Sequence, residues 1–536
     1  MDPRAWSQSR QYTPEKLALA RQVLAEVRAG QPVVEAVRRH PLPDGQGYLG
    51  KHVLVAAYRQ LVAAGEWMPD ARLLARIRMK PVRTLSGVTV VTVLTKPYPC
   101  PGKCIFCPTD VRMPKSYLPD EPGAMRGLQH AFDPYDQVSS RLDALRAVGH
   151  PTDKIELLIL GGTWSAYRRD YQEWFVRRCF DALNGVDAAT LAEAQILNEV
   201  AEHRNVGLAV ETRPDHVDQD ELAWLRDLGV TKVQLGAQSL DDRILELNQR
   251  GHTVADTRQA VDLLRSAGFK IVLHWMPNLL GATPESDQQD FTRLWDDLCP
   301  DELKIYPNQL LAKAELYQYW LRGEFQPYTT ETLVDLIASI KTTIPRYCRV
   351  NRVIRDIPST HVVEGNRRTS LRQDVADEMA RRGTHCQCIR CREVRSVPLT
   401  IDDLALEDLV YLAGAFEEHF LSFVTPDDRL AGFLRLSLPG MGKPDQVSPE
   451  TGLVDLAGAA IIREVHVYGQ SLEVGTHQGG MAQHTGLGTQ LIEGAVTITK
   501  QRGFRRLAVI SAVGTREYYI NRGFQRGERY LFKDLA

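Results

Sequence analysis

The sequence predicts an α/β protein with three parts: a small N-terminal helical domain, a partial (β/α) barrel and a C-terminal α+β domain. Residues 14–78 show helical apolar spacing without a strand signal. Between residues 88 and 306, short β-branched runs alternate with helical stretches, which indicates parallel strands covered by helices. A second mixed pattern follows Pro398. The predicted domain boundaries are therefore 1–80, 81–395 and 396–536.

The elements of the first two domains follow from this spacing. Helices are predicted at 14–29, 32–39, 51–64 and 70–78, and six buried strands at 88–94, 155–160, 207–211, 232–236, 271–276 and 302–306. Further helices are predicted at 135–148, 167–183, 188–204, 218–228, 241–249, 254–267 and 285–298. Six strands suffice for a partial barrel, whose active site is expected at the carboxyl ends of its strands.

The C-terminal domain is predicted to mix both kinds of element. Helices are predicted at 409–417, 487–502 and 516–522, and strands at 429–438, 458–468 and 506–512. Neither an internal repeat nor a low-complexity tract is visible in the sequence.

Charge is distributed unevenly. Residues 1–83 contain 14 Lys and Arg against seven Asp and Glu, so this segment carries +7 and the rest of the chain −9. A basic segment on an acidic body favours a polyanionic partner such as nucleic acid, although a solvated helical surface explains it equally simply.

The sequence has no apolar run long enough to cross a bilayer and no apolar leader, so we expect a cytoplasmic protein without a membrane partner. No dimerisation element is legible, so a homodimer and further subunits both stay open.

Cysteines occur in two tight clusters. The first, Cys100, Cys104 and Cys107, has C-x3-C-x2-C spacing directly after the first barrel strand. Three thiolates on one loop can bind three irons of a [4Fe–4S] cluster and leave the fourth iron for S-adenosylmethionine. Phe106 is expected to shield the cluster. A structural zinc site is the alternative, but the nearest further ligand type in sequence is His130.

This loop and the strand ends that follow it resemble the radical S-adenosylmethionine superfamily. The resemblance implies a radical-SAM barrel in which the strand-end motifs bind the cofactor. The residues implied are Gly161, Gly162, Thr163, Glu211, Arg213 and Gln234. Glycines at a strand end let a ligand approach the backbone closely.

The C-terminal domain contains a glycine-rich loop that opens a helix. Its residues Gln483, Gly486, Leu487, Gly488 and Thr489 have the form Q-x-x-G-x-G, and helix N-terminal N–H groups can bind a pyrophosphate. With the strand 463–469 before it and a Tyr-Tyr pair after it, the segment resembles a GNAT acetyl-CoA-binding domain. That resemblance implies that the edge formed by Glu464, Val465, His466 and Val467 contacts the pantetheine arm. It also implies that Tyr519, with Tyr518 as the alternative, lies near the thioester.

The second cluster, Cys386, Cys388 and Cys391, has C-x-C-x2-C spacing. Three thiolates so close favour a structural zinc site whose fourth ligand comes from elsewhere; His385 is adjacent in sequence. A redox pair is the less favoured alternative. Arginines outnumber acids around this cluster, so it offers a second basic surface for an RNA backbone.

A radical cluster and an acetyl-CoA domain in one chain resemble the family of the Elongator catalytic subunit, in its stand-alone bacterial or archaeal form. The resemblance implies a tRNA carboxymethyluridine synthase of the tRNA uridine(34) acetyltransferase class. Such an enzyme binds a tRNA anticodon stem-loop and joins the acetyl methyl carbon of acetyl-CoA to carbon-5 of wobble uridine 34. In family terms Lys154 is implied to contact acetyl-CoA, and Lys304 and Tyr306 to serve thioester hydrolysis.

Two other functions stay open on sequence alone. The acetyl-CoA domain permits a protein lysine acetyltransferase with a merely structural Fe–S cluster. A radical enzyme that uses acetyl-CoA as an effector on a small molecule is also compatible, although the basic first 83 residues disfavour it.

Overall fold

The computed structural model describes residues 12–43, 47–84, 86–395, 401–444, 451–468 and 486–535. Its N-terminal part is a bundle of four helices. They are α1 (Pro14–Arg28), α2 (Val33–Arg39), α3 (Lys51–Ala63) and α4 (Ala71–Ile77). The side chains of Thr13 and Asp70 cap α1 and α4 by accepting backbone N–H bonds. The predicted helices are confirmed, and they enclose a hydrophobic core of their own.

A seven-stranded parallel sheet in strand order 1 to 7 forms the partial barrel. Its strands are β1 (Thr89–Leu94), β2 (Lys154–Leu160), β3 (Arg204–Thr212), β4 (Lys232–Gln238), β5 (Lys270–Trp275), β6 (Glu302–Ile305) and β7 (Arg349–Arg352). The six predicted strands are confirmed, and β7 was missed. Its sequence, Arg-Val-Asn-Arg, lacks the apolar run that marks the others.

Helices lie between and after these strands along the chain. They are α5 (Pro122–Gln129), α6 (Pro134–Ala147), α7 (Arg169–Asn184), α8 (Leu191–Asn198), α9 (Gln219–Asp227), α10 (Asp242–Leu247), α11 (Val254–Ser266), α12 (Pro284–Thr292), α13 (Leu316–Leu321), α14 (Thr330–Ile340), α15 (Leu371–Arg381) and α16 (Ile389–Arg392). The helix predicted at 188–204 is too long. The buried Asn198 ends it at α8, where its side chain bonds the backbone of His203 and Asn205.

The C-terminal part is a seven-stranded mixed sheet in the order β13-β14-β12-β11-β10-β9-β8. Its elements are β8 (Ala405–Ala413), β9 (Phe416–Val424), β10 (Leu430–Leu438), β11 (Ala459–Val467), α17 (Leu487–Gln501), β12 (Arg506–Val509), α18 (Arg516–Ile520), β13 (Gln525–Arg526) and β14 (Leu531–Asp534). Within the described ranges, no helix has the length and apolar character needed to cross a membrane.

The helix predicted at 409–417 is wrong, because this segment forms the β8–β9 hairpin. Gly414 takes a φ of +58° at the turn, and the two strands pair in register from Ala405↔Val424 to Ala413↔Phe416. Tertiary packing overrides the helical interpretation of this largely apolar segment, since Tyr411 stacks on the barrel residue Tyr347 at a centroid distance of 3.9 Å.

Buried ion pairs join the C-terminal sheet to the amino ends of the barrel strands. Asp301, directly before β6, accepts two bonds from Arg463 of β11, at 2.6 and 2.8 Å. Arg463 also contacts Glu418 of β9 at 3.0 Å, and Arg435 of β10 lies 3.4 Å from Asp301. All four side chains are almost completely buried. The C-terminal sheet therefore docks on the floor of the barrel, opposite the cysteine loop.

Replacing Asp301 with asparagine should destabilise the protein strongly. Arg463 and Arg435 then each lose one of their carboxylate partners, and breaking a buried pair costs about 3–5 kcal/mol. Chemical denaturation at neutral pH measures the effect. The matched control is Asp534→Asn, which removes a half-exposed partner of Arg506 and should change the unfolding free energy by less than about 1 kcal/mol. Equal effects of the two substitutions on the unfolding free energy would contradict a structural role for the buried ion pairs of Asp301.

Candidate functional site

The first cysteine cluster lies on a loop at the carboxyl ends of the strands. Ile105 and Phe106 are buried beside it, and the Ile105 N–H donates to the Asn248 carbonyl at 3.3 Å. A hydrogen bond from the Cys107 thiol, helped by the nearby charges of Arg250 and Arg213, lowers the pKa of Cys104 to about 5. Cys104 is therefore disposed to be a thiolate, which is the form that binds iron.

Glycine at position 161 is required by the packing at the end of β2. A Cβ atom there would lie 2.0 Å from Thr95 Oγ1, whereas at Gly162 the nearest atoms are 4.0 Å away. The buried Thr163 follows, and its hydroxyl lies 3.6 Å from Cys100 Sγ. The structure therefore brings the predicted glycine motif against the cysteine loop.

Glu211 and Lys304 form the centre of a polar chamber beneath the loop. Lys304 Nζ donates to Glu211 at 3.1 Å, and the Tyr117 hydroxyl donates to it at 2.9 Å. Burial acts to raise the pKa of Glu211, but the charge of Lys304 outweighs it and keeps the pKa below its usual value. His274 Nε2 lies 3.1 Å from Gln234 Oε1. Sequence reasoning missed Tyr117 and His274, which belong to no motif.

Arg213 lies against the cysteine loop. Asp215 accepts two bonds from it at 2.8 Å, while its Nη1 atom is buried and has no hydrogen-bond partner in the described part of the chain. The same is true of Gln238 Oε1 at the end of β4. Unpaired buried polar atoms are costly, so a ligand with both donors and acceptors suits this place. The amino-acid and ribose groups of S-adenosylmethionine meet that description, and individual contacts of Glu211, Arg213 and Gln234 stay predictions.

The C-terminal cleft opens where two parallel strands separate. β11 pairs with β12 only as far as Ile462↔Val509 and then continues to Val467 along β10. Glu464, Val465, His466 and Val467 line the cavity next to this opening.

The start of α17 forms the other wall of this cleft. Gly486 has a φ of +81°, and Gly488 lies so close to Tyr518 that a Cβ would be 2.4 Å from its hydroxyl. Arg522 donates to Thr489 Oγ1 at 3.0 Å. Gly486, Gly488 and Thr489 line the cavity, while the Leu487 side chain is in the sheet's core, so only its backbone is available to a ligand. Gln483 lies outside the described residues.

One cavity of about 1440 Å³ runs through the barrel and connects the polar chamber beneath the cysteine loop with the C-terminal cleft. Its wall includes all three loop cysteines, Tyr306, both Tyr518 and Tyr519, and Lys154 at the start of β2. Lys154 and Leu160 are six residues apart on β2, which corresponds to about 20 Å. Between the ends, Lys232 contacts Glu156 at 2.5 Å and Glu302 at 3.3 Å, and Lys270 pairs with Glu464.

The second cysteine cluster is a compact group. The ligand atoms of Cys386, Cys388 and Cys391 all lie within 4.8 Å of one another. Hydrogen bonds from Cys386 and Cys391 lower the pKa of Cys388 and favour its thiolate. His385 is exposed and does not belong to this group. Three sulfurs this close can hold one metal ion, and they lie in the segment that leads from the barrel to the C-terminal sheet.

Several arginines around this cluster form ion pairs with acidic residues of the same chain. Arg381 and Arg382 pair with Glu378, and Arg392 pairs with Asp428. The basic surface predicted here is therefore partly neutralised by its own acids.

The parallel half-barrel and its cysteine loop define the class: residues 98–291 match the Radical SAM superfamily, and residues 300–381 match the Radical_SAM C-terminal domain. Among curated proteins, the tRNA uridine(34) acetyltransferase of Dehalococcoides mccartyi is 43% identical over 84% of this chain and 99% of its own length. That of Methanocaldococcus jannaschii is 42% identical over 86% and 87%. A solved structure, the archaeal Methanocaldococcus infernus Elp3 with an N-terminal deletion, aligns with a TM-score of 0.72 at 36% identity, covering 84% of this chain and 99% of that one.

The chain belongs to the tRNA uridine(34) acetyltransferase/Elongator complex protein 3 family. The sequence-based family assignment is confirmed, as is the partial barrel.

Gly161→Ala should weaken S-adenosylmethionine binding at least tenfold, because the new methyl group collides with Thr95 and displaces the strand end from the loop. Isothermal titration of the reconstituted protein measures the dissociation constant. Gly162→Ala is the matched control, since its methyl group meets no atom closer than 4.0 Å. If both alanines bind the ligand alike, the close approach at Gly161 is not part of the site.

His274 should make stability depend on pH. Burial, together with the charge of Lys304, lowers its pKa from 6.5 to about 3, so the folded protein holds it neutral. The unfolded chain gains a proton below pH 6.5, so stability is lost as pH falls from 6.5 towards 3. A His274→Gln variant lacks this loss. We therefore expect the melting temperature of the variant, relative to that of the parent protein, to be higher at pH 5 than at pH 7. If the difference between the two melting temperatures is the same at both pH values, His274 is not buried as a neutral group.

Proposed function

We propose that this protein is a tRNA-modifying enzyme that joins the acetyl methyl carbon of acetyl-CoA to carbon-5 of wobble uridine 34, in a radical reaction dependent on S-adenosylmethionine. The observation that carries the proposal is the single cavity that links the cysteine loop to the C-terminal cleft. Curated relatives that share most of this chain are named tRNA uridine(34) acetyltransferase, which supports the same substrate here.

Cys100, Cys104 and Cys107 would hold the [4Fe–4S] cluster. When bound, the cluster and S-adenosylmethionine supply a 5′-deoxyadenosyl radical able to remove hydrogen from an unactivated methyl group. The protein contributes the thiolates, and Ile105 and Phe106 exclude water from them. Gly161, Gly162, Thr163, Glu211, Arg213 and Gln234 are the residues we assign to S-adenosylmethionine.

Acetyl-CoA would occupy the C-terminal cleft. The N–H groups of Leu487 and Gly488, at the start of α17, precede the first helical hydrogen bond and suit the pyrophosphate. The separated edge of β11, at Glu464, Val465, His466 and Val467, suits the pantetheine arm, and Tyr519 or Tyr518 lies at its end. From there the acetyl group faces Lys270 and the barrel interior rather than bulk solvent. Lys154 lines this part of the cavity and is a further acetyl-CoA contact in this proposal.

The transfer would form one carbon–carbon bond and break one C–H bond of the acetyl methyl group and the C5–H bond of uridine. S-adenosylmethionine would be the net oxidant: the first hydrogen would leave in 5′-deoxyadenosine, methionine would be released, and the second hydrogen would leave as a proton. Hydrolysis of the thioester would then release CoA and leave a carboxymethyl group. Lys304 and Tyr306 lie in the chamber beneath the loop, with the Lys304 ammonium 5.7 Å from the centre of the Tyr306 ring. We assign these two residues to the hydrolysis step. An ammonium held by Glu211 can stabilise the oxyanion that forms when water attacks the thioester.

The tRNA would contact the basic helical domain, 1–80, while its anticodon base enters the barrel, 81–395, from the cysteine-loop side. The acetyl-CoA domain is 396–536. Base chemistry inside a cavity requires the uridine to be splayed out of the loop, and positive charge favours the RNA backbone. Zinc held by Cys386, Cys388 and Cys391 would fix the segment that joins the two domains.

A labelling experiment tests the proposal. The reconstituted enzyme is given S-adenosylmethionine, methyl-labelled acetyl-CoA and tRNA, and digested nucleosides are analysed by mass. We expect label in 5-carboxymethyluridine for the parent enzyme and none for Cys104→Ser, which should still bind tRNA. Cys179→Ser is the matched control, because Cys179 is buried in α7 and should be silent. Label found on protein lysines instead of uridine would favour the lysine acetyltransferase.

A further inference from the structure

Arg250 is a buried cation that lacks a carboxylate partner in the described part of the chain. Its Nη1 donates to Cys104 Sγ at 3.4 Å and its Nη2 donates to the Gly236 carbonyl at 2.6 Å. Its Nε atom is buried without a hydrogen-bond partner. The neighbouring Arg213 differs, because Asp215 balances its charge. A guanidinium buried without an anion is strongly unfavourable, so the charge at Arg250 calls for an anionic group at the cysteine loop.

The backbone on both sides of Arg250 adopts the left-handed conformation. Gln249 before it has a φ of +50°, and Gly251 after it has +76°. Left-handed backbone at a non-glycine residue is strained and persists where the surroundings impose it. Asn248 supplies that constraint: its side chain bonds Ile244 and Leu280, and its carbonyl accepts the N–H of Ile105. The segment carrying Arg250 is thus fastened to the same loop that carries Cys104.

Room for the guanidinium is made on the opposite side by β4. A Cβ on Gly236 would lie 2.7 Å from Arg250 Nη2. The strand end therefore both accepts a bond from Arg250 and leaves the space that it occupies.

We propose that Arg250 is a positioning residue for the iron–sulfur cluster: it holds Cys104 by an N–H···S bond and raises the cluster's reduction potential with its positive charge. Net charge, hydrogen bonds to the sulfurs and solvent exposure set such potentials. Reduction adds one negative charge to a buried group, and a cation at hydrogen-bond distance stabilises the reduced form more than the oxidised form. This inference rests on the cluster assignment made above, and it adds a residue outside every predicted motif.

The test is a redox titration of the reconstituted full-length protein, without S-adenosylmethionine, followed by electron paramagnetic resonance. For Arg250→Gln we expect the equilibrium constant for one-electron reduction to fall at least tenfold, or about 59 mV. Arg250→Lys keeps the positive charge, so its equilibrium constant for reduction should fall less. Arg243→Gln is the matched control, since it removes an exposed charge from the adjoining α10 and should match the parent.

Iron content and the folded signal in circular dichroism are measured for every variant. A glutamine variant with full iron and the parent potential would overturn the proposal, even if its S-adenosylmethionine affinity fell, because Arg250 would then serve that ligand. If the glutamine variant folds but loses iron, recovery of iron in the lysine variant supports the proposal, and loss in both overturns it. A parent protein that takes up no cluster would instead refute the proposed function itself.

Discussion

The buried ion network between the barrel floor and the C-terminal sheet is the interaction on which the rest of the structure depends. Asp301 is matched by Arg463 and Arg435, and Arg463 is matched in turn by Glu418. Charges in an interior are tolerated only when each has its counter-charge and hydrogen bonds. The barrel supplies Asp301 and the C-terminal sheet supplies Arg463 and Arg435, so these pairs favour this docking geometry. That geometry places the C-terminal cleft beneath the barrel and joins the two cavities.

The barrel interior is correspondingly polar. A closed (β/α) barrel is filled with apolar side chains, whereas this partial barrel is lined by Lys232, Lys270 and Glu302 and stays open. Burial opposes the charge of Lys232, but Glu156 and Glu302 raise its pKa above the usual value, so the charge is retained. A passage lined by paired charges is wettable and can admit both a thioester and the water that hydrolyses it.

The sequence was most informative where chemistry depends on local spacing. Both cysteine clusters, the glycines at 161 and 162 and the helix start at 486 could be located, because a few neighbouring residues define each. The parallel barrel followed from the alternation of apolar runs. The β8–β9 hairpin could not be found, because contact with Tyr347 decides its conformation. The docking face of the C-terminal sheet, and the roles of Tyr117, His274 and Arg250, depend on residues far apart in sequence and on burial that no local pattern records.

The central claim is that acetyl-CoA and the radical centre must act within one cavity of one molecule. It is tested most directly by mixing two inactive variants with tRNA, S-adenosylmethionine and acetyl-CoA: Cys104→Ser, which lacks the cluster, and Gly488→Trp, whose indole fills the cleft beside Tyr518. The account predicts that the mixture forms no carboxymethyluridine, while either variant with parent enzyme does. Restoration of product in the mixture would show that the acetyl unit passes between molecules, which contradicts a shared cavity.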